Sequence, residues 1–385
     1  MSTIEKFPVS GFVAEDFEKV RDAFTANFTQ RGEVGAALHV TVGGVPVVDL
    51  WGGAADAAQT RPWTPDTLVN VWSTTKGWLA LAMHMLADQG RLDFDAPVSK
   101  YWPEFAQKGK ESVLVRHLLT HTAGLPAPSM RLPHDAVYDW ERMAKSLEQS
   151  KLFWKPGSQC GYHAGTFGWL NGEVLRRITG MSAGQFIRTQ IAAPLKADVY
   201  VGLKGAELER TAETIPFSAL AYLVFRLSLR IRSRMALMAF TNPPRPSNLA
   251  NTLRWREAEI PSSNGHASAR GLARLYTLLA VGGEVEGVRL LSAPAVKLAG
   301  QEQVRGKDVI LGMPTRRTLG YLLSGGGPVD PIPLTAFGHP GMGGSLGFAD
   351  PSNRLAMGYV MNHMVFGLDI RSAELSRAVY ACLTH

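Results

Sequence analysis

Cysteine is scarce in this chain, with two residues, Cys160 and Cys382, in 385. Two cysteines cannot staple a domain, so they read as free thiols of a reducing compartment. Long apolar runs are missing too. The longest, residues 78–87 and 216–225, reach about half of the roughly 20 residues that span a bilayer. The first ten residues hold no apolar run that could act as a secretion signal, which predicts a cytoplasmic protein with no stable membrane insertion. No glycine loop follows a strand-like run in a phosphate-binding pattern, so no cofactor is expected. Charged residues make up only 19%, against 45% hydrophobic, a balance that excludes disordered and fibrous chains. Forty Lys+Arg against 33 Asp+Glu give a net charge of +7. No nucleic-acid-binding motif accompanies that excess, so no nucleic-acid partner is expected.

What is present reads as a soluble chain of mixed class. An amphipathic helix is predicted over residues 13–29. Strands follow at 35–42 and 45–51, turning at Gly43-Gly44, a strong hairpin signal. Residues 78–89 are apolar around most of a helical circumference, which predicts a buried helix. Helical or loop-rich sequence continues to about Pro261. A helix fits 268–281, with Ser268 as N-cap and Gly282-Gly283 as its stop. Strand-like runs return at 319–323, 335–338, 346–349 and 354–361, and a last helix fits 369–383. The outer segments are α+β and the middle mostly α. This predicts one antiparallel sheet built from both chain ends (1–64 and 265–385), flanked by helices, with an inserted helical domain over 65–264.

Ser73-Thr74-Thr75-Lys76 opens the buried helix. Positions i and i+3 share a helix face, so hydroxyl and amine can meet. A helix N-terminus offers backbone N–H groups to developing negative charge. A lysine drawn into an apolar place loses its proton more readily and can then activate the serine. Alone, the motif is also what an N-cap serine followed by a snorkelling lysine would give.

Other segments agree with the chemical reading. They are His117-Leu118-Leu119-Thr120-His121-Thr122-Ala123-Gly124-Leu125, then Lys155-Pro156-Gly157, Gly161-Tyr162-His163-Ala164, a predicted helix at 167–179, and Gly338-His339-Pro340-Gly341-Met342-Gly343-Gly344. In this order, from about Val34 to Asn362, the chain resembles the serine β-lactamase and penicillin-binding-protein superfamily. It is most similar to class C β-lactamases and the related family VIII carboxylesterases. The resemblance implies an α/β domain plus a helical domain with the site between them. It also implies Ser73 as the acylated nucleophile, Lys76 as its proton partner and Tyr162 as general base and acid, its phenolate stabilised by Lys76. The oxyanion hole would be the backbone N–H groups of Ser73 and Met342. Substrate would lie along His339, Gly341 and Ala164. Two departures bear on specificity, since the sequence has neither S-D-N nor K-T-G. Ala164 replaces the asparagine of Y-x-N, and His339 replaces the lysine of K-T-G. Both losses disfavour β-lactams and suit uncharged esters.

Several other motifs compete with this reading. Gly343-Gly344-Ser345-Leu346-Gly347 spells G-x-S-x-G, but a turn and a strand follow where a nucleophile elbow needs a helix. Its glycines read instead as a close backbone approach on an inner strand. Ser262-Ser263-Asn264 mimics S-x-N and reads as a loop. His117 and His121 sit four apart on a predicted helix without a third ligand, so they read as hydrogen-bonded histidines and no metal is expected. Cys160 reads as a small core residue. Residues 216–240 carry Arg226, Arg230, Arg232 and Arg234 among Leu, Ile and Met. The segment reads as a cap beside the cleft, as an outer helix packed on its own core, or as a contact for an anionic or fatty partner. The expected function is carboxylesterase action on small to medium esters through an acyl-Ser73 intermediate. Rivals are a class C-type β-lactamase, an acyltransferase, and a scaffold that keeps the fold to bind a partner. Nothing in the sequence specifies an oligomeric state.

Overall fold

Two glycines with left-handed backbone, Gly43 and Gly44 (φ 61° and 88°), turn the first hairpin. Only such a turn matches the twist of the strands it joins. The computed structural model of the chain describes residues 3–246, 248–325, 330–365 and 369–383. Its large sheet has nine strands: β1 (Ser10–Val13), β2 (Gly35–Val42), β3 (Val45–Gly53), β4 (Val304–Lys307), β5 (Pro314–Arg317), β6 (Leu322–Leu323), β7 (Phe337–Pro340), β8 (Leu346–Asp350) and β9 (Leu355–Met361). Their order is β1-β3-β2-β9-β8-β7-β6-β5-β4, and every pairing is antiparallel.

The helices used below are α1 (Glu18–Gln30), α2 (Lys76–Asp88), α3 (Thr166–Thr179), α4 (Ala219–Arg232), α5 (Arg234–Thr241), α6 (Ala269–Ala280) and α7 (Arg371–Ala381). Alternate residues of β9 face opposite sides of the sheet. On one side Gly358 lets α6 come close, because a Cβ there would lie 2.6 Å from the Ala273 amide. On the other side the Tyr359 hydroxyl donates to Glu33, which pairs with Arg371 of α7. The sheet is therefore sandwiched between helices. All nine strands lie outside residues 65–264. A small sheet joins Val69–Asn70, Gly265–Ala267 and Val199–Val201.

Three expected elements differ. The helix expected over 13–29 begins only at Glu18, because Ser10–Val13 pairs with β3 as an edge strand. The strand expected over 319–323 shrinks to Leu322–Leu323, β6, because Gly320 (φ 99°) sits in the bend that joins it to β5. The helix holding His117 ends at Leu119, and His121 takes left-handed backbone (φ 61°), so the two histidines do not share a helix face. Both are hydrogen-bonded all the same. The Leu114 amide donates to His117 Nδ1 and the His163 amide to His121 Nδ1. Among the described residues no group of three His, Cys, Asp or Glu could hold a metal.

Candidate active site

Ser73 follows a strained residue. Trp72 has φ 49° and ψ −127°, a conformation that glycine favours and that costs a tryptophan of order 1–3 kcal/mol. The bend ends the short strand at Val69–Asn70 and starts a 3-10 turn, Ser73–Thr75, that runs into α2. The Ser73 side chain thereby stands at the head of a buried helix, facing a cavity of about 340 Å³.

Lys76 lies one turn on and is fully buried. Its Nζ is 3.2 Å from Ser73 Oγ, and it donates to the carbonyls of Ala164 (2.9 Å) and Ser262 (2.8 Å). Burial, reinforced by the charges of Arg245 and Arg317, holds the amine well below its ordinary pKa. A neutral amine has two N–H bonds and one lone pair. The two carbonyls take the N–H bonds, which leaves the lone pair for the Ser73 hydroxyl.

Tyr162 sits over this pair, its ring 4.9 Å from Lys76 Nζ. Its hydroxyl shares a hydrogen bond with Ser73, yet burial pushes the phenol up to about 12. Burial thus disfavours the phenolate expected from the sequence. A lysine held well below its ordinary pKa offers less positive charge to stabilise a phenolate, which favours Tyr162 as a proton donor. Its backbone is fixed by Asp308, whose Oδ1 accepts from the amides of Tyr162, Ile310 and Leu311. Asp308 Oδ2 accepts from Arg317 (2.8 Å), and both side chains are buried.

Strand β7 supplies the opposite wall. Gly341 is forced by close approach, since a Cβ there would lie 2.3 Å from the Val71 carbonyl and 2.1 Å from Ser345 Oγ. Among the described residues the amides of Ser73 and Met342 meet no acceptor, so both N–H groups can meet an oxyanion. Burial holds the His339 imidazole well below its ordinary pKa. Its Nδ1–H donates to the Pro340 carbonyl (2.8 Å), and its buried Nε2 has no partner among the described residues. Ser73, Tyr162, Ala164, His339, Gly341 and Met342 all line the one cavity.

The decoys fall elsewhere. Ser345 is buried and donates to the Val71 carbonyl (2.8 Å), bracing β8 against the turn that holds Ser73. A Cβ on Gly347 would lie 2.2 Å from the Tyr276 ring of α6, so this glycine does serve close packing. Cys160 is buried and unbridged. Ser262-Ser263-Asn264 is the expected turn, but it matters to the site because Ser262 presents its carbonyl to Lys76. Sequence reasoning missed Ser262, Asp308, Arg317 and Arg245. A backbone carbonyl leaves no residue-type signal, and the other three come from segments with no local motif.

The chain matches the family model described as Beta-lactamase over residues 20–380. It belongs to the β-lactamase family. The Esterase/beta-lactamase LipL of Mycobacterium tuberculosis, a relative within that family, is 36% identical over 368 residues, 93% of this chain and 83% of that protein. Among solved structures, a family VIII carboxylesterase gives a TM-score of 0.90 at 41% identity, covering 97% of this chain and 99% of its own. A penicillin-binding protein homologue from Caulobacter crescentus gives 0.88 at 36% identity, covering 97% and 99%. Family members thus carry both esterase and penicillin-binding names, and the site must decide between them.

Proposed function

We propose that this protein is a serine carboxylesterase acting on small to medium uncharged esters through an acyl-Ser73 intermediate. The observation that carries the reading is the buried Lys76 amine, with two carbonyls on its N–H bonds and Ser73 Oγ at 3.2 Å. Lys76 takes the Ser73 proton as Oγ attacks the ester carbonyl. The oxyanion forms against the Ser73 and Met342 amides. Tyr162 gives its proton to the departing alkoxide and regains one from Lys76. Water then attacks the acyl-enzyme by the reverse proton path and returns Ser73 to its resting state.

The polar ends of the cavity favour esters over β-lactams. Ala164 offers a methyl group where an amide would grip an acylamide side chain. His339 offers a lone pair on Nε2, which repels a carboxylate. The remaining wall is apolar, with Phe217, Tyr222 and Phe225 entering from the segment 216–240 and Phe240 closing it. This supports the cap reading of that segment, though Leu223 points to solvent and takes no part.

One observation favours weak β-lactam hydrolysis as a second reading. Arg245 lines the cavity, and burial lowers its guanidinium to about 10. Its Nε finds no partner. A β-lactam carboxylate could pair with it. Turnover of p-nitrophenyl butyrate and nitrocefin separates the readings. Esterase action predicts much faster turnover of the butyrate, with Arg245→Met lowering nitrocefin turnover more than butyrate turnover. Comparable rates on both would overturn the assignment to esters.

A further inference from the structure

Helix α4 is apolar on two opposite sides. Tyr222, Phe225 and Leu229 turn inward, toward the cavity and the cluster around Tyr162. Leu220, Leu223, Val224, Leu227 and Ile231 recur at i, i+3, i+4, i+7 and i+11, the spacing of a single stripe. That stripe faces out, with exposures of 71%, 62%, 47%, 53% and 77%. Such spacing ordinarily marks a core face, yet here the stripe meets solvent. On a 3.6-residue helix Arg226 and Arg230 border one edge of it, and both are exposed, while Arg232 turns inward and donates to the Ile310 carbonyl. Residues 214–256 hold seven arginines and no aspartate or glutamate.

We propose that the outward face of α4 docks on an anionic lipid surface, with the helix lying in the plane of the interface. The arginines decide among possible occupants. A second copy seated on this face by twofold symmetry would set arginine against arginine, a like-charge contact that is unfavourable. Anionic headgroups complement those guanidiniums, while the leucines and Ile231 enter the acyl boundary and the arginine stems lie along it. Because the opposite face of the same helix lines the cavity, docking brings the cavity to within about 10 Å of the lipid, one helix diameter. Esters dissolved in the bilayer would then reach Ser73 by a short path.

Co-sedimentation of the full chain with vesicles tests this without relying on catalysis. The wild type should pellet with vesicles of phosphatidylcholine and phosphatidylglycerol (7:3) and stay soluble with phosphatidylcholine alone. The double variant Arg226→Gln, Arg230→Gln should lose about tenfold or more in affinity for the mixed vesicles, since each surface arginine contributes about a fivefold factor. The variant Leu223→Ser, Leu227→Ser should bind neither vesicle. Both variants should hydrolyse p-nitrophenyl acetate at the wild-type rate, which shows that they fold. Wild-type protein that stays in the supernatant with the mixed vesicles overturns the proposal. So does a concentration-dependent dimer that the leucine variant abolishes, because it would assign the stripe to a second copy.

Discussion

Ser73 and Ser345 each sit in a serine motif, but only Ser73 has a base. Ser345 spends its hydroxyl proton on the Val71 carbonyl and is shut away from solvent. Ser73→Ala should therefore abolish ester hydrolysis while Ser345→Ala retains most of it. A covalent phosphonate mapped to Ser345 by mass spectrometry would reverse that assignment. The two proton carriers have pKa values displaced in opposite directions, and the pH profile follows from the signs. Lys76 must be neutral to act, so kcat/KM should rise with pH as the amine loses its proton, at a midpoint well below the ordinary lysine value. Tyr162 must stay protonated to donate, and it does so up to about 12. No falling limb from it belongs in the accessible range. Tyr162→Phe should lower the plateau by roughly 10²–10⁴-fold and keep the rising limb, whereas Lys76→Met should erase the limb. An activity that rises only as a tyrosine ionises would restore the phenolate mechanism.

At the scale of elements, the site depends on pieces that carry no chemistry themselves. Asp308 lies just after β4 and holds the Tyr162 amide and Arg317 together. Asp308→Asn strands a buried guanidinium, and breaking such a pair costs about 3–5 kcal/mol. The variant should melt earlier, and adding Arg317→Met should recover much of that loss. Calorimetry of the two variants and the wild type measures it, and purely additive losses would mean the pair does not act as a unit. Helix α4 and α5 bring Phe225 against Phe240, ring centroids 5.5 Å apart, and Phe240 to within 6.3 Å of the Tyr162 ring. Phe225→Ser should cut hydrolysis of octanoate esters more than that of acetate esters, while Leu223→Ser should change neither in solution. An equal drop on both esters would return Phe225 to a scaffold role.

At the scale of the molecule, the sheet is assembled from both ends of the chain. Strand β9 pairs with β2 over seven residue pairs, from Leu355–Val42 to Met361–Ala36. Arg371, from the last helix, bonds the Gly343 carbonyl next to Met342 and pairs with Glu33, both partners buried. This one side chain links the final helix, the start of the sheet and the turn that presents the Met342 amide. Arg371→Leu should destabilise the fold by about 3–5 kcal/mol. It should also lower kcat more than it raises KM, because a displaced Met342 amide weakens the transition state more than the bound substrate. A change in KM alone would separate this clamp from the oxyanion site.

The sequence by itself determined those features that depend on near neighbours. The Gly43-Gly44 hairpin, the Ser268 cap whose oxygen accepts from the Gly271 amide, the apolar α2 and the i, i+3 pairing of Ser73 with Lys76 all follow from spacings of one to four residues. Motif order then placed Tyr162, His339 and Met342 around them. Tertiary structure alone decided the rest. Edge pairing drew Val13 out of the expected helix, because main-chain partners on β3 outweigh a weak local propensity. The protonation states of Lys76 and Tyr162 depend on burial and on arginines about 80–240 positions away, which no local pattern encodes. Ser262, Asp308 and Arg317 act through a carbonyl, a cluster of amides and a buried charge. Such roles exist only once the chain has brought together groups that its order keeps far apart.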